Sequence, residues 1–163
     1  IFKNLIGCII LYMINLKKTQ IINVKFGKNV KVIEPVNLYQ CSIGSNCFIG
    51  PFVEIQKDVV LGKNNRVQSH TFICSKVKIG SDCFIGHGVM FTNDRFEQGK
   101  PSGRKKIRQT SISDNVYIGS NATILPIKIC SKVVIGAGSV VTKNITKSGI
   151  YCGNPAKFLR SIK

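Results

Sequence analysis

The sequence predicts an all-β fold, a parallel β-helix of roughly six coils. Aliphatic residues recur at every sixth position from Ile43 to Phe91, and a column of mostly small or β-branched residues follows four positions after them. A helix repeats about every 3.6 residues and a strand about every 2, so a strict period of six fits neither alone. Glycine follows the aliphatic residue in several repeats, where the chain must turn a corner. Each hexad is therefore predicted to form one short strand and one turn, with three hexads to a coil.

The repeat divides the chain into three parts. Residues 21–147 are predicted to form the β-helix, interrupted by a loop at 93–111 and by one-residue slips before Ile43 and Ile129. At a strand spacing of about 4.8 Å, this prism would be roughly 29 Å tall. Residues 148–163 leave the repeat and are predicted to form a short tail or helix, with residues 156–162 as the candidate helix.

Residues 1–20 are predicted to be an apolar cap or a non-native extension. The uninterrupted apolar run, Leu5 to Ile14, is too short to span a bilayer. Three interpretations remain open: a cap strand or helix, a peripheral membrane contact, or residues upstream of a true start at Met13.

The charge is strongly basic, with 24 Lys and Arg against 7 Asp and Glu. Such a balance indicates either a polyanionic partner or a solvated surface whose charged residues are mostly lysine. We favour the solvated surface for most of these lysines, because the basic residues are scattered and only Arg104 to Arg108 forms a dense run. No helix-turn-helix, zinc-finger or RNA-binding pattern accompanies them, so no nucleic-acid partner is predicted.

The seven cysteines form no Cys-x-x-Cys pair, which disfavours a zinc or thioredoxin-like site. Cys47 and Cys83 fall in the small-residue column and are predicted to be buried fillers. Two coils would separate their Cα atoms by roughly 9.6 Å, too far for a disulfide. A reduced, cytoplasmic protein is the expectation. In the same column, Asn65 is predicted to bond backbone across the core.

The loop at 93–111 is polar and highly charged. A long excursion from a regular solenoid is usually functional or disordered, and here we favour a binding role.

The period of six, ending in Gly153-Asn-Pro-Ala-Lys157, resembles the hexapeptide-repeat acyltransferases over about residues 24–160. Ile135 to Lys143, followed by this motif, resembles their coenzyme A-binding end. The resemblance implies a left-handed β-helix, acetyl-CoA as the donor, and a homotrimer with sites between neighbouring chains.

The stretch from Phe84 to Asp94 narrows the resemblance to nucleotide-sugar N-acetyltransferases that modify 3-amino or 4-amino deoxysugars for surface polysaccharide. The 3-amino group is the nearest, with a UDP- or dTDP-linked acceptor. The resemblance implies that Asn93 and Asp94 lie beside the sugar amine. Such relatives often carry Pro-Arg shortly after the Asp, whereas this chain has Arg95-Phe96, which leaves the sugar open.

We therefore predict a set of site residues. The catalytic residues are Asn93, Asp94 and His70, and the substrate-binding residues are His87, Arg95 and Arg104. The cofactor-binding residues are Ser120, Ala122, Thr123, Gly136, Ala137, Lys143, Asn154, Pro155, Lys157 and Arg160. Backbone N–H groups in 120–123 or 136–137 would polarise the thioester carbonyl, and the cations would neutralise the phosphates. His70 and His87 are 17 residues apart, so they are expected along one prism edge. No metal site is predicted.

Three other functions remain as alternatives. An O-acetyltransferase acting on a sugar or serine hydroxyl would depend more on a histidine base. A carbonic anhydrase of the same fold would need three zinc-binding histidines, and the chain has two. A non-enzymatic scaffold would explain the repeat but not the loop or the C-terminal motif.

Overall fold

The fold is described from a computed structural model, which defines residues 20–103 and 107–162. Within them, short strands follow one another at nearly every hexad. In chain order the strands are β1 (Ile21–Ile22), β2 (Lys25–Phe26), β3 (Lys31–Val32), β4 (Asn37–Tyr39), β5 (Ser42–Ile43), β6 (Phe48–Ile49), β7 (Glu54–Ile55), β8 (Val60–Leu61), β9 (Arg66–Val67), β10 (Phe72–Ile73), β11 (Val77–Ile79), β12 (Phe84–Ile85), β13 (Met90–Phe91), β14 (Thr110–Ile112), β15 (Val116–Ile118), β16 (Thr123–Ile124), β17 (Lys128–Ile129), β18 (Val133–Ile135), β19 (Val140–Val141), β20 (Gly149–Cys152) and β21 (Lys157–Arg160).

The strands stack into three sheets, one for each side of a triangular prism. The first sheet runs β1-β4-β7-β10-β13-β16-β19, the second β2-β5-β8-β11-β14-β17, and the third β3-β6-β9-β12-β15-β18-β20-β21. Every pairing is parallel except that of β20 with β21. The prediction of an all-β, left-handed parallel β-helix is confirmed. The coil number was one too low, because the first coil already begins at Ile21 and the seventh is closed by β20.

The core is the stack of inward aliphatic side chains. Ile49, Ile55 and Ile85 are fully buried. Ile49 and Ile85 are both in register with Val67 on the third sheet, and Ile55 is in register with Leu38 and Ile73 on the first. Cys47 and Cys83 are buried beside them, and the described cysteines are free thiols. Burial raises the pKa of the Cys83 thiol to about 11, so it stays protonated and unreactive near neutral pH.

The turns between the second and third sheets explain the Asn and Asp residues of the repeat. Asn46, Asn64 and Asp82 adopt left-handed backbone conformations, with φ of 60°, 57° and 59°. Their side chains form a ladder, since Asn46 donates to Asn64 at 3.2 Å and Asn64 donates to Asp82 at 2.8 Å. Gly44 is needed for a different reason, because a Cβ there would collide with the carbonyl of Gly62 one coil above.

The C-terminal segment, for which a short tail or a helix was predicted, contains no helix. Residues 157–160 form β21, which runs antiparallel to β20 and covers the edge of the last coil. The unpaired backbone groups of β20 are satisfied by a strand and would not be by a helix. The ring of Phe158 packs edge-on against Tyr151 at 5.5 Å between centroids.

Two boundaries also differ from expectation. The mid-chain loop spans 92–109, because Thr110 and Ser111 already pair within the second sheet. The β-helix extends into β20, beyond the predicted end at residue 147. The apolar residues 1–19, for which a cap was one interpretation, lie outside the described residues.

Within 20–103 and 107–162, no helix has the length and apolar content needed to cross a membrane. In the same residues, no group of three or more His, Cys, Asp or Glu side chains is arranged to hold a metal ion.

Candidate active site

The mid-chain loop leaves the prism at the edge that joins the first and second sheets. Its neck is closed by the backbone N–H of Arg108, which donates to the carbonyl of Asn93 at 2.9 Å. The side-chain amide of Asn93 makes only a long bond of 3.4 Å to the carbonyl of Ser75 on the coil below. The side chain of Asn93 is thus placed by the backbone of the loop, and little of its hydrogen-bonding capacity is used.

Asp94 organises the first half of the loop. Its Oδ1 accepts hydrogen bonds from the N–H of Phe96 at 2.9 Å and the hydroxyl of Ser102 at 2.7 Å, and its Oδ2 accepts from the N–H of Ser102 at 2.6 Å. These bonds, that from the Ser102 backbone first, lower the pKa of Asp94 below its ordinary value. Since an ionised carboxylate has about four acceptor positions, roughly one remains free on Oδ2.

Arg95 fastens the loop to the prism. Its guanidinium donates to the carbonyl of Pro126 at 3.2 Å and to that of Thr142 at 3.0 Å, on the two coils above. Arg95 was predicted to bind substrate, but the structure commits its Nη2 to backbone carbonyls. The side chain of Arg108, near the end of the loop in sequence, forms a half-exposed salt bridge of 2.8 Å with Glu97 in its first half.

Arg95→Ala is expected to loosen the loop without unfolding the prism. Cleavage of the loop at the exposed Phe96 by a protease that cuts after aromatic residues should accelerate at least about tenfold, because two hydrogen bonds to partly buried backbone carbonyls are lost. The matched control is Arg66→Ala, which removes an arginine from the third sheet and should leave the cleavage rate unchanged. Equal protection in both variants would contradict this role for Arg95.

Two cavities flank the beginning of the loop, and both are lined by Asn93 and Asp94. The smaller, of about 270 Å³, is completed by Arg95, Glu97, Gln98, Ser102 and Arg108. The larger, of about 580 Å³, reaches down the edge past Lys76 to Tyr39. The two predicted catalytic residues of the loop are therefore brought together on an accessible wall.

The two histidines lie on another edge, where the third sheet joins the first. His70 has φ of 61° and its ring stacks on Phe52 at 4.8 Å between centroids. Nδ1 of His87 lies 2.8 Å from the hydroxyl of Ser69 one coil below. The expectation that both histidines share one prism edge is confirmed.

The predicted catalytic set does not assemble within one chain. His87 and Asn93 lie on different edges of the prism, joined by β13 and its flanks, which would span at most about 20 Å if fully extended. His70 lies one coil further away. A site that used both a histidine and the loop would need these edges to come from two chains.

The predicted cofactor residues divide between the same two edges. Ser120 and Ala137 stack on successive coils above His87, and Asn154 and Pro155 follow β20 near the top of that edge. Lys157 and Arg160 are exposed on β21. Lys143 lies instead on the loop edge, in the turn after β19. Arg104 lies outside the described residues.

Several of the backbone N–H groups predicted to polarise the thioester carbonyl are already used in hydrogen bonds within the prism. The N–H groups of Thr123 and Gly136 already donate at 2.8 Å to the carbonyls of Ser139 and Tyr151. Ala122 is wholly buried, and its N–H makes a long bond of 3.4 Å within its own turn. Among the described residues, the N–H groups of Ser120 and Ala137 have no backbone acceptor, so they remain the candidates.

Sequence reasoning missed Ser69 and Ser102. Ser69 is in register with His87 because one coil spans 18 residues, a spacing that could have been used to pair them. Ser102 lies within an irregular loop, and no periodic signal links it to Asp94.

The comparisons with known proteins agree with this architecture. Residues 40–75 match the family described as bacterial transferase hexapeptide (six repeats), and residues 109–143 match the hexapeptide repeat of succinyl-transferase. The chain is 36% identical over 117 residues to the bifunctional protein GlmU of Baumannia cicadellinicola subsp. Homalodisca coagulata. That match covers 71% of this chain and 23% of GlmU, so the chain spans about a quarter of the curated relative.

Two solved structures extend the comparison. AntD, an N-acyltransferase from Bacillus cereus in complex with dTDP and 3-hydroxybutyryl-CoA, has a TM-score of 0.76 at 21% identity, covering 87% of this chain and 84% of AntD. A variant of perosamine N-acetyltransferase from Caulobacter crescentus, in complex with CoA and GDP-perosamine, has a TM-score of 0.61 at 16% identity, covering 86% and 57%. At these identities the likeness establishes the fold.

The two repeat matches cover the prism on both sides of the mid-chain loop. Together with the shared fold, they confirm the resemblance predicted from the sequence: this chain carries the repeat and the β-helix of the hexapeptide-repeat acyltransferases.

Proposed function

We propose that the chain transfers the acetyl group of acetyl-CoA to the amine of a nucleotide-linked deoxyaminosugar. A UDP- or dTDP-linked 3-amino sugar destined for surface polysaccharide is the proposed acceptor. The observation that carries this proposal is the wall formed by Asn93 and Asp94 in the loop cavity. An ionised carboxylate with a free acceptor position, beside an amide with unused capacity, suits an amine.

The related structures support both substrates. AntD is an N-acyltransferase that binds dTDP together with an acyl-CoA, and perosamine N-acetyltransferase binds CoA together with a GDP-linked aminosugar. Each pairs a coenzyme A thioester or its product with a nucleotide.

The reaction needs alignment more than a strong base. The neutral amine attacks the thioester carbonyl, the C–N bond forms, the C–S bond breaks, and coenzyme A leaves as the thiol after the nitrogen loses its proton. Asp94 holds the amine through its free Oδ2 position and Asn93 fixes the direction of attack. Holding both reactants in one orientation can supply several kcal/mol of the barrier, about 7 or more in well-oriented cases. The N–H groups of Ser120 and Ala137 would stabilise the oxyanion.

The complete site is proposed to lie between two chains of a homotrimer. The acceptor wall stands on the edge between the first and second sheets, and the turns with Ser120 and Ala137 stand on the edge between the third and first. Within one prism they are separated by a stretch of chain that would span at most about 20 Å if fully extended. One edge from each of two neighbouring chains would bring them together.

The direct test is release of free coenzyme A from acetyl-CoA in the presence of UDP- and dTDP-linked aminosugars. We expect release with at least one 3-amino sugar and none with the matched sugar carrying a hydroxyl at that carbon. If no aminosugar supports release, the proposed function is wrong and the scaffold alternative gains support.

The pH dependence follows from the low pKa of Asp94. A carboxyl group with a lowered pKa is ionised well below neutral pH, and its loop bonds are lost only as pH falls through that lowered value. Between about pH 6 and 9 the rate is therefore expected to rise with deprotonation of the acceptor amine, with no contribution from Asp94. A rate limb that disappears in Asp94→Asn, measured over that range with saturating acetyl-CoA, would contradict this assignment.

O-acetylation is the second candidate, and one contact favours it. The hydroxyl of Ser69 lies 2.8 Å from Nδ1 of His87 and holds the ring; in the tautomer whose Nδ1–H donates to that hydroxyl, Nε2 carries no proton and is available as a base. A hydroxyl acceptor needs such a base, whereas an amine attacks without it. His87→Ala should therefore abolish O-transfer, and it should leave N-transfer within about tenfold.

A further inference from the structure

A third cavity lies beside the mid-chain loop, on the edge between the first and second sheets. It has a volume of about 430 Å³ and spans the last three coils. Four of its nine lining residues are cationic, namely Arg95, Arg108, Lys128 and Lys143, and none is a carboxylate. We call it the cationic cavity.

Its two lysines are the charges available to a ligand. The Nη2 of Arg95 donates hydrogen bonds to two backbone carbonyls, and the guanidinium of Arg108 forms a salt bridge with Glu97. Among the described residues, neither Lys128 nor Lys143 forms a salt bridge, and both are exposed. Two unpaired ammonium groups facing one concave space attract an anion more strongly than scattered surface lysines do.

The position of Asn144 adds uncharged donors. Its Oδ1 accepts a hydrogen bond of 2.8 Å from the N–H of Lys128, which fixes the side chain at the rim of the cavity. The amide nitrogen of the same group donates to no other described residue. An oxyanion between the lysines could therefore receive neutral and charged hydrogen bonds together.

The cationic cavity adjoins the smaller cavity of Asn93 and Asp94. Arg95 and Arg108 line both spaces. The loop side carries the carboxylates Asp94 and Glu97, and the other side carries the lysines. The two adjoining cavities thus present an anionic end and a cationic end.

We propose that the cationic cavity binds the diphosphate of the nucleotide-sugar acceptor, through Lys128 and Lys143. The substrate class has the complementary polarity, with an amine at one end of the sugar and a diphosphate at the other. This proposal rests on the proposed function. It also reassigns Lys143, which the sequence resemblance placed against coenzyme A.

The test measures binding of dTDP, UDP and inorganic pyrophosphate to the full chain by titration calorimetry, without any acyl transfer. The variant is the double substitution Lys128→Gln with Lys143→Gln. The matched control is Lys63→Gln with Lys132→Gln, which makes the same charge change on the edge between the second and third sheets. Affinity for coenzyme A is measured for every protein.

We expect the Lys128 and Lys143 variant to bind the diphosphates about 30-fold more weakly, and the control to change less than about threefold. Coenzyme A affinity should stay within about threefold in both. Equal loss in the two variants, or loss of coenzyme A binding alone in the first, overturns the proposal.

Failure of the proposed function gives a different result. Lysine-dependent diphosphate binding without any acyl transfer would leave the cationic cavity standing and remove the reaction. If the chain acetylates an aminosugar nucleotide but its affinity for diphosphates is unchanged by the two lysine substitutions, the proposed function stands and the assignment of the cationic cavity is wrong.

Discussion

Asn93→Ala is expected to lower kcat/KM for the aminosugar acceptor at least about 100-fold, because an unaligned amine loses much of the advantage of a positioned one. The side chain makes a single long hydrogen bond to Ser75, so the variant should unfold within about 1 kcal/mol of the unsubstituted protein. The measurement combines steady-state kinetics with thermal unfolding on the same preparation.

A substitution of Asp94 would not separate the loss of the amine contact from a change in the structure of the loop. Its carboxylate holds Ser102 and Phe96, so removing it would disturb the loop as well as the wall that faces the amine. Ser102→Ala provides the control, since it removes one loop bond and leaves the N–H donor to Asp94 in place. Activity near normal in Asn93→Ala, or an equal loss in Ser102→Ala, would show that loop shape alone matters.

Asn65→Val is expected to destabilise the prism by about 3 kcal/mol, the largest single effect on stability. The side chain is fully buried and joins two coils: its amide donates to the carbonyls of Gly62 at 3.1 Å and Gly80 at 2.7 Å, and its oxygen accepts from the N–H of Cys83 at 2.8 Å. Valine fits this column by shape, but it removes the partners of the Gly80 carbonyl and the Cys83 N–H and leaves the Gly62 carbonyl with only the Cys47 thiol at 3.2 Å. The melting temperature should fall by about 6 to 12 °C.

Thr71→Val is the matched control for that change. Thr71 occupies the same small-residue column six positions later and makes one side-chain hydrogen bond, 2.9 Å to the carbonyl of Gly86. Its loss should cost about 1 kcal/mol, a third of the effect at Asn65. If the two variants melt together, the three bonds of Asn65 contribute less than their geometry indicates.

The prism could be predicted because its determinants are local and repeated. Every sixth side chain must point inward, and the Asn of each Gly-x-Asn turn must accept a left-handed backbone, so the pattern alone specifies strand, turn and column. Asn65 could be assigned across the core for the same reason, since its place in the column left backbone as its only partner.

The ends of the repeat could not be predicted in this way. The strand at Lys157–Arg160 forms because the last coil offers an unpaired edge, a tertiary cause that the residues of the tail do not display. The local pattern left a tail or a short helix open there. The extra coil was missed because its closing strand, β20, follows no six-residue beat.

The candidate site was predicted in part. The break in the repeat at Asn93 and Asp94 located the loop, but the bonds within the loop depend on how its irregular backbone folds. The hydrogen bonds of Ser102 to Asp94 and of Arg95 to Thr142 could therefore not be predicted from the sequence. Placing Lys143 on the loop edge also required the coil register, which separates it from the turns that hold Ser120 and Ala137.

The central claim is that the acetyl group goes to nitrogen. It is tested most directly by isolating the acetylated product from acetyl-CoA and a dTDP-linked 3-amino sugar and treating it with alkaline hydroxylamine. An amide survives this treatment, whereas an ester is cleaved to a hydroxamate. We predict a product that keeps its acetyl group; release of acetyl hydroxamate would contradict the account.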